Sequence, residues 1–259
     1  MCGIIGILSH QNVQDRLVQG LETLEYRGYD SAGIAISHQG DLQRRRASGK
    51  IANLKAVLEQ DGLQGTAGIG HIRWATHGEP SLKNSHPHAS THVMLVHNGI
   101  FENYQEIRER LEVQGYTHSS DTDTETITHL IQSYLDQDCS PLHAVQEALR
   151  EVRGAYAIAV LFKEYPDYMI AARQGAPLVL GKADHEMFVG SDALCLSGLA
   201  KAVCYLEDGD IAEIRPTSYT IYDHQNHKTE RSFVSIETII SSPVSKDGYA
   251  HFMLKEIYE

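Results

Sequence analysis

The N-terminal part of the chain alternates between short apolar runs and stripes of apolar residues at helical spacing. Residues 4–8 are apolar apart from Gly6, which is typical of a buried strand. Apolar positions recur at the helical period over residues 13–24, which predicts an amphipathic helix. The same patterns predict strands at residues 33–37, 68–74 and 93–97, and helices at residues 50–58, 102–114, 124–135 and 142–152.

The C-terminal part changes to short apolar runs separated by turn residues. These runs predict strands at residues 155–162, 168–173, 178–181, 187–191, 203–206, 211–215 and 219–222, with one brief helix at residues 192–199. Residues 75–91, rich in His, Pro, Ser and Gly, are predicted to be a loop, and residues 223–247 are polar and weakly patterned. Because strands and helices do not alternate regularly, we expect antiparallel sheets with helices packed on them, in one domain.

The end of the sequence predicts that it is part of something longer. Residues 249–259 begin a helical pattern that stops without a capping residue.

Composition narrows the classes of protein. The 259 residues are 42 % hydrophobic and 22 % charged, which excludes a disordered chain or a coiled coil. The net charge of −12 argues against nucleic acid or an anionic membrane as the main partner. The one basic run, residues 44–46, is predicted to be a solvated turn or strand. Four cysteines without a CxxC pair, and no signal peptide or membrane span, indicate a cytoplasmic protein.

Cys2 is the residue that most directly indicates chemistry. Removal of Met1, which is normal before a small second residue, would leave Cys2 with a thiol and a free α-amine. An α-amine with a pKa of about 7.7–8.0 can act as a base for a thiol with a pKa near 8.5. The alternative is a structural cysteine at the start of a strand.

Four segments around Cys2 carry a family resemblance. They are residues 2–7 (CGIIGI), 26–33 (YRGYDSAG), 73–78 (RWATHG) and 97–100 (HNGI). Together they resemble the N-terminal-nucleophile, or class II, glutamine amidotransferases, and within that class the chain is similar to the glucosamine-6-phosphate synthase family. The resemblance runs in order along essentially the whole chain. It implies an α+β fold, a four-layer α/β/β/α sandwich of two antiparallel sheets.

The resemblance also implies a reaction. The Cys2 thiol would attack the side-chain amide of L-glutamine, release ammonia and leave a γ-glutamyl thioester for water to hydrolyse. Asn98 and Gly99 match the oxyanion hole, which needs two neutral hydrogen-bond donors. Taken without the family, Asn98-Gly99 also fits the turn of a β-hairpin.

Further residues match the substrate site of the family. Arg73 corresponds to the residue that grips the substrate α-carboxylate, with Thr76 and His77 completing that grip, and Asp123 corresponds to the one that holds the α-ammonium group. The residues alone leave alternatives open: Arg73 could form a surface salt bridge, and Asp123 could be a helix N-cap. Residues 73–81 are expected to close over the substrate.

Three residues are assigned supporting roles by the same resemblance. Trp74 matches the guard of the ammonia channel, its alternative being a buried aromatic residue at a strand end. Arg27 and Gly28 would support the nucleophile from behind, unless they simply end a helix.

The resemblance implies neither cofactor nor metal. His86, His88, His92 and His97 could suggest a zinc site, but Pro87 disrupts helical ligand spacing and neither a cysteine nor a paired carboxylate joins them. The partners implied are L-glutamine and covalently linked sugar isomerase domains in a homo-oligomeric full-length enzyme. Two alternatives remain: the glutaminase domain of an amidophosphoribosyltransferase or asparagine synthetase, and a module that binds glutamine without turnover.

Overall fold

The computed structural model describes residues 2–28, 30–74 and 78–237, apart from the side chain of Arg27. Within these ranges there are five α-helices: α1 Gln14–Thr23, α2 Ile51–Gln60, α3 Tyr104–Val113, α4 Asp123–Leu135 and α5 Pro141–Glu151. The strands are β1 Gly3–Leu8, β2 Ser31–His38, β3 Asp41–Ser48, β4 Ala67–Arg73, β5 His88–Ala89, β6 Val93–Phe101, β7 Gly154–Phe162, β8 Met169–Gln174, β9 Val179–Ala183, β10 Glu186–Gly190, β11 Ala202–Tyr205, β12 Ile211–Arg215, β13 Ser218–Tyr222, β14 Lys228–Thr229 and β15 Val234–Ser235.

The strands form two antiparallel sheets. Sheet A has the order β15-β11-β9-β10-β1-β4-β2-β3, and sheet B has the order β14-β13-β12-β8-β7-β6-β5. The first strand of the chain therefore lies inside sheet A, between β10 and β4. This position explains the continuous apolar run, because β1 is covered on both faces.

The protein has four layers, a helical layer on each outside and the two sheets between them. Three clusters of apolar side chains pack between neighbouring layers. Helices α1 and α2 pack on the outer face of sheet A, where Leu17 and Leu21 meet Ile5. The inner faces of the two sheets pack together through residues such as Ile4 and Val96. Helices α3, α4 and α5 cover the outer face of sheet B. The predicted four-layer α/β/β/α sandwich is confirmed.

The five predicted helices are confirmed, and each end lies within two residues of the predicted one. Several other predictions differ from the structure. Strand β6 continues to Phe101 instead of ending at residue 97. The brief helix predicted at residues 192–199 is a single 3₁₀ turn, Ala193–Leu196. The predicted loop contains the short strand β5, and the polar segment from residue 223 contains β14 and β15. The expected helical pattern at residues 249–259 lies outside the described residues.

The basic run forms part of edge strand β3, but it is not simply solvated. Arg44 Nη1 donates to Pro87 O at 2.9 Å, and Arg46 Nη1 donates to Ser85 O at 2.6 Å. All three arginines are half-buried. The prediction of a strand was right, whereas the prediction of solvation was wrong, because two guanidinium groups bind the carbonyl groups of the neighbouring loop.

Side-chain alternation along the strands brings the predicted site residues to the inner faces of the sheets. On β4, Ile69 packs between the sheets, so His71 and Arg73 share its face. On β6, Val96 packs between the sheets, so Asn98 shares its face. The site therefore lies at one end of the core between the two sheets.

Candidate active site

Cys2 lies directly before β1, and its half-buried thiol contacts the residue that follows β4. The Trp74 backbone N–H donates to Cys2 Sγ at 3.3 Å, and Trp74 O lies 3.4 Å from the same sulfur. Burial raises the pKa of the Cys2 thiol, and the Trp74 N–H opposes that shift only in part. A thiol in this environment needs a base to become a thiolate at neutral pH. Met1 lies outside the described residues.

A cavity of about 20 Å³, roughly the space of one water molecule, lies beside Cys2. It forms where the start of β1, the end of β4, the middle of β6 and the start of α4 meet. Its walls bring together five of the residues to which the family resemblance assigns roles in the reaction. The lining residues are Cys2, Arg73, Trp74, His86, His97, Gly99, Thr122, Asp123 and Thr124.

Asn98 and Gly99 lie inside β6 and are paired with β7. The interpretation of these two residues as a hairpin turn is therefore wrong. Asn98 Nδ2 donates to Cys2 O at 3.3 Å, which links sheet B to the residue that carries the thiol. Gly99 has a φ of +133°, and a Cβ atom there would lie 2.0 Å from Ala155 O. A glycine is required at this point, because both the backbone conformation and the neighbouring carbonyl exclude a side chain.

Arg73 is the last residue of β4, and only 3 % of it is exposed. Its guanidinium donates to Gly78 O at 3.1 Å and to Glu79 O at 3.4 Å. The interpretation of Arg73 as one half of a surface salt bridge is wrong, because the side chain is buried and lines the cavity. It supplies a fixed positive charge to the cavity wall.

Asp123 is the first residue of α4 and is buried. Its Oδ2 accepts a hydrogen bond from the Phe101 N–H at 2.9 Å, so the end of β6 fixes the carboxylate. The interpretation of Asp123 as the N-cap is wrong, because Thr122 takes that position and its Oγ1 accepts from the Glu125 N–H. Asp123 thus adds a negative charge to the cavity, close to the positive end of the helix dipole.

Buried Glu125 holds the loop that precedes α4. Its carboxylate accepts from the backbone N–H groups of Ser119 and Ser120, at 2.9 Å and 2.6 Å. Burial alone would raise the pKa of Glu125, but the nearby His129 ring and the hydrogen bonds from Ser120 and Ser119 lower it well below its usual range. The carboxylate therefore stays ionised and fixes the backbone that leads into Asp123.

The segment that begins at Gly78 is bound to the loop that precedes α4. The Asp121 N–H donates to Asn84 Oδ1 at 2.9 Å, and Asn84 Nδ2 donates to Glu79 O at 3.1 Å. Asn84 therefore joins the carbonyl groups that hold Arg73 to the loop that carries Asp123.

Of the remaining predicted site residues, the structure describes the side chain of Trp74 and the position of Gly28. Trp74 is 51 % exposed, so the interpretation of a buried aromatic residue is wrong. Gly28 packs closely on the end of β4, where an added Cβ would lie 3.0 Å from Arg73 O. The predictions for Thr76 and His77 and for the side chain of Arg27 lie outside the described part of the chain.

His71 is a residue of the site that the sequence reasoning did not identify. Its Nε2 lies 3.0 Å from Asn98 Oδ1 and 3.0 Å from His97 O. Its ring stacks on His86 with the centroids 4.0 Å apart. Its position two residues before Arg73 in a predicted strand was the available signal, since residues i and i+2 share a face.

Of the four histidines considered as metal ligands, three lie near His71. They are His86, His88 and His97. His92 lies apart and its backbone N–H donates to Gln132 Oε1. Burial lowers the pKa values of His71 and His88 to about 3 and lowers the pKa of His86 as well. Among the described residues, His, Cys, Asp and Glu side chains do not form a group that could hold a metal ion. In the same part of the chain, the helices are too short or too polar to cross a membrane.

Comparison with known sequences finds a matching domain model and similar proteins. The family model described as "Glutamine amidotransferase domain" matches residues 75–198. The glutamine–fructose-6-phosphate aminotransferases (isomerizing) of Gluconobacter oxydans and Zymomonas mobilis are each 47 % identical over 100 % of this chain. The chain spans 43 % and 42 % of those two proteins, so it covers less than half of their length.

Solved structures agree with this comparison. The glutamine phosphoribosylpyrophosphate amidotransferase of B. subtilis superimposes with a TM-score of 0.76 at 26 % identity, over 86 % of this chain and 49 % of that one. A glutamine aminotransferase class-II domain protein from Silicibacter pomeroyi shares the fold, with a TM-score of 0.59 at 17 % identity over 86 % of this chain and 99 % of its own. The chain therefore contains a glutamine amidotransferase domain, which the family model matches over residues 75–198.

Proposed function

We propose that the chain hydrolyses L-glutamine to L-glutamate and ammonia in the cavity beside Cys2. The observation that carries the proposal is that one cavity wall combines a thiol, a buried cation and a buried carboxylate, namely Cys2, Arg73 and Asp123. The fork of Arg73 suits an α-carboxylate, and Asp123 suits an α-ammonium group. A free amino acid bound in this way presents its side-chain amide to Cys2.

In the proposed reaction, Cys2 Sγ bonds to the amide carbon and the carbonyl oxygen takes up the negative charge. The Asn98 Nδ2–H and the Gly99 N–H donate to that oxygen, and each such donor contributes about 3 kcal/mol in the transition state. The thiol proton passes through a base to the leaving nitrogen, the C–N bond breaks, and ammonia leaves. Water then adds to the thioester, the C–S bond breaks, and glutamate is released.

We assign the base to the α-amine of Cys2, exposed by removal of Met1. Two features support this assignment: the raised pKa of the thiol calls for a base, and an α-amine with a pKa of about 7.7–8.0 is partly neutral at cytosolic pH. Cofactor and metal are not needed for these steps.

The surrounding residues are assigned supporting roles. Thr76 and His77 complete the grip on the carboxylate, and residues 73–81 act as a lid. Trp74 guards the exit for ammonia, while Arg27 and Gly28 support the end of β4.

The fate of the ammonia is proposed from the relatives. We propose that linked sugar isomerase domains of a homo-oligomeric, cytoplasmic protein pass it to fructose 6-phosphate, giving glucosamine 6-phosphate. The relatives named for that reaction share 47 % identity with the chain, whereas the phosphoribosylpyrophosphate enzyme shares 26 %. The sugar enzyme is therefore favoured over the other class II enzymes.

The test is the intact mass of the purified protein before and after treatment with 6-diazo-5-oxo-L-norleucine, an electrophilic glutamine analogue. We expect loss of Met1 and one adduct, which excess glutamine prevents. Cys2→Ala should abolish both the adduct and glutamine hydrolysis while glutamine still binds. Cys139→Ser is the matched control, because Cys139 is also a half-buried free thiol but lies outside the cavity.

Two results would contradict the proposal. A trimmed protein that binds glutamine but takes up no adduct would be a binding module rather than a glutaminase. A protein that keeps Met1 and still hydrolyses glutamine would exclude the α-amine as the base.

A further inference from the structure

We infer that His71 is a positioning residue that fixes the direction of the Asn98 side-chain amide. The inference rests on the proposed function, because it concerns the oxyanion role assigned to Asn98. His71 is 1 % exposed, and its Nε2 lies 3.0 Å from Asn98 Oδ1. Any effect of this buried ring on the reaction must pass through the groups that it contacts, and Asn98 is the contacted side chain that is assigned an oxyanion role.

The hydrogen bonds of His71 define its tautomer. Nε2 lies 3.0 Å from His97 O, and a backbone carbonyl can only accept a hydrogen bond. Nε2 must therefore carry the proton. Nδ1 is buried without a hydrogen-bond partner among the described residues, so a proton there would be unsatisfied. Burial also lowers the pKa of His71 to about 3, which keeps the ring neutral.

This tautomer permits one orientation of the Asn98 amide. The single Nε2–H of His71 is shared between His97 O and the Asn98 side chain, each 3.0 Å away, so the Asn98 atom that faces it must be the acceptor Oδ1. Nδ2 then turns to the other side, where it lies 3.3 Å from Cys2 O. A rotated amide would set its NH₂ group against the His71 N–H and would present an oxygen to the developing oxyanion. The donor is useful only in the orientation that His71 selects.

The His71 ring is itself held in place. It stacks on the His86 ring at 4.0 Å with an angle of 17° between the planes. His86 Nδ1 in turn accepts from the His97 N–H at 3.3 Å, which ties that ring to β6. The backbone of His71 belongs to β4, which is paired with β1 and β2. The donor therefore stays in position without help from the substrate.

Three substitutions separate hydrogen bonding from packing. His71→Phe keeps an aromatic ring but removes the donor, His71→Gln places an amide N–H near the position of Nε2, and His71→Asn places it near Nδ1. We expect kcat for glutamine hydrolysis to fall about tenfold to a hundredfold in the Phe and Asn variants, because one oxyanion donor is misdirected. KM should stay within about threefold of wild type, since Arg73 and Asp123 bind the substrate. His71→Gln should recover much of the lost turnover.

A double-mutant cycle tests the route through Asn98. In an Asn98→Ala background, His71→Phe should cause no further loss of kcat. Losses that multiply would show a general packing role and overturn the inference, as would an unchanged kcat in folded His71→Phe. In either case hydrolysis by wild type and a Cys2 adduct would leave the proposed function standing. A wild-type protein without either activity would refute the proposed function and the inference with it.

Discussion

The two sides of the cavity are built in different ways. On the side proposed to hold the oxyanion, Asn98 and Gly99 sit within the paired strand β6, and the His71 side chain of β4 contacts Asn98. On the side proposed to bind the α-carboxylate and α-ammonium groups, Arg73 ends a strand and is held by loop carbonyl groups, while Asp123 begins a helix. Strand pairing fixes groups more precisely than loops do, whereas loops can adjust to a ligand.

This difference predicts a division of labour. Changes on the strand side should lower turnover, because the donors must point at an atom that becomes charged only in the transition state. Changes on the loop side should weaken glutamine binding, because the charges there contact groups that do not react. The proposed difference between the two sides would be wrong if strand-side and loop-side variants changed turnover and glutamine binding in the same way.

The largest effect is expected for Gly99→Ala. The new Cβ would lie 2.0 Å from Ala155 O, so β6 must move away from β7 and carry the oxyanion donor with it. We expect glutaminase activity below about a thousandth of wild type, together with a lower melting temperature. Gly115→Ala is the control, since Gly115 has a φ of +97° but no atom within 4 Å of an added Cβ. It should cost about 1 kcal/mol of stability and leave kcat unchanged. A folded Gly99→Ala variant with wild-type kcat would show that the strand side is not rigid.

An intermediate effect is expected for Arg73→Lys. Lysine keeps the charge but loses the planar fork, so KM for glutamine should rise about tenfold to a hundredfold. Turnover at saturating glutamine should stay within about threefold of wild type. Arg16→Lys is the matched control, because Arg16 binds Glu186 with both Nη atoms, outside the cavity. A lower kcat with an unchanged KM in Arg73→Lys would show that Arg73 acts in the transition state rather than in glutamine binding.

The smallest effect concerns the free energy of unfolding in mild acid. Burial lowers the pKa values of His71, His86 and His88 in the folded state, whereas an unfolded histidine titrates near 6.5. The unfolded chain therefore binds more protons below that pH, and stability falls as the pH falls. Each histidine should contribute a loss of about 0.7 kcal/mol between pH 7 and pH 6, or about 2 kcal/mol for the three.

Urea unfolding at the two pH values measures this loss. In His71→Gln, the loss between pH 7 and pH 6 should shrink by about a third, because one of the three groups no longer titrates. An equal loss in the variant and in wild type would show that His71 does not contribute.

Much of the fold could be predicted from local patterns, and the exceptions have identifiable causes. Helices such as α1 and α5 follow from apolar stripes, and β1 follows from an apolar run. Strand β6 was predicted too short, because Asn98-Gly99 favours a turn locally while pairing with β7 overrides that preference. Strand β3 was obscured by its arginines, whose partners are loop carbonyl groups that no local pattern reveals.

The site depended on the family resemblance more than on local physics. Local reasoning favoured a turn for Asn98-Gly99 and an N-cap for Asp123, whereas the cap is Thr122, one residue earlier. The local signal for His71, its place two residues before Arg73 in a predicted strand, was weak, because a single histidine in a strand is common. Its importance arises only when β4 and β6, which belong to different sheets, face each other.

The place of β1 in sheet A sets an order of events during synthesis. One neighbour of β1 is β4, but the other is β10, which ends at Gly190. Until that residue has left the ribosome, the strand that follows Cys2 has an open edge and the start of the chain is not yet enclosed. The proposed removal of Met1 therefore has this whole interval in which to occur. Removal of Met1, as proposed above, could therefore take place while the chain is still growing, before β10 pairs with β1.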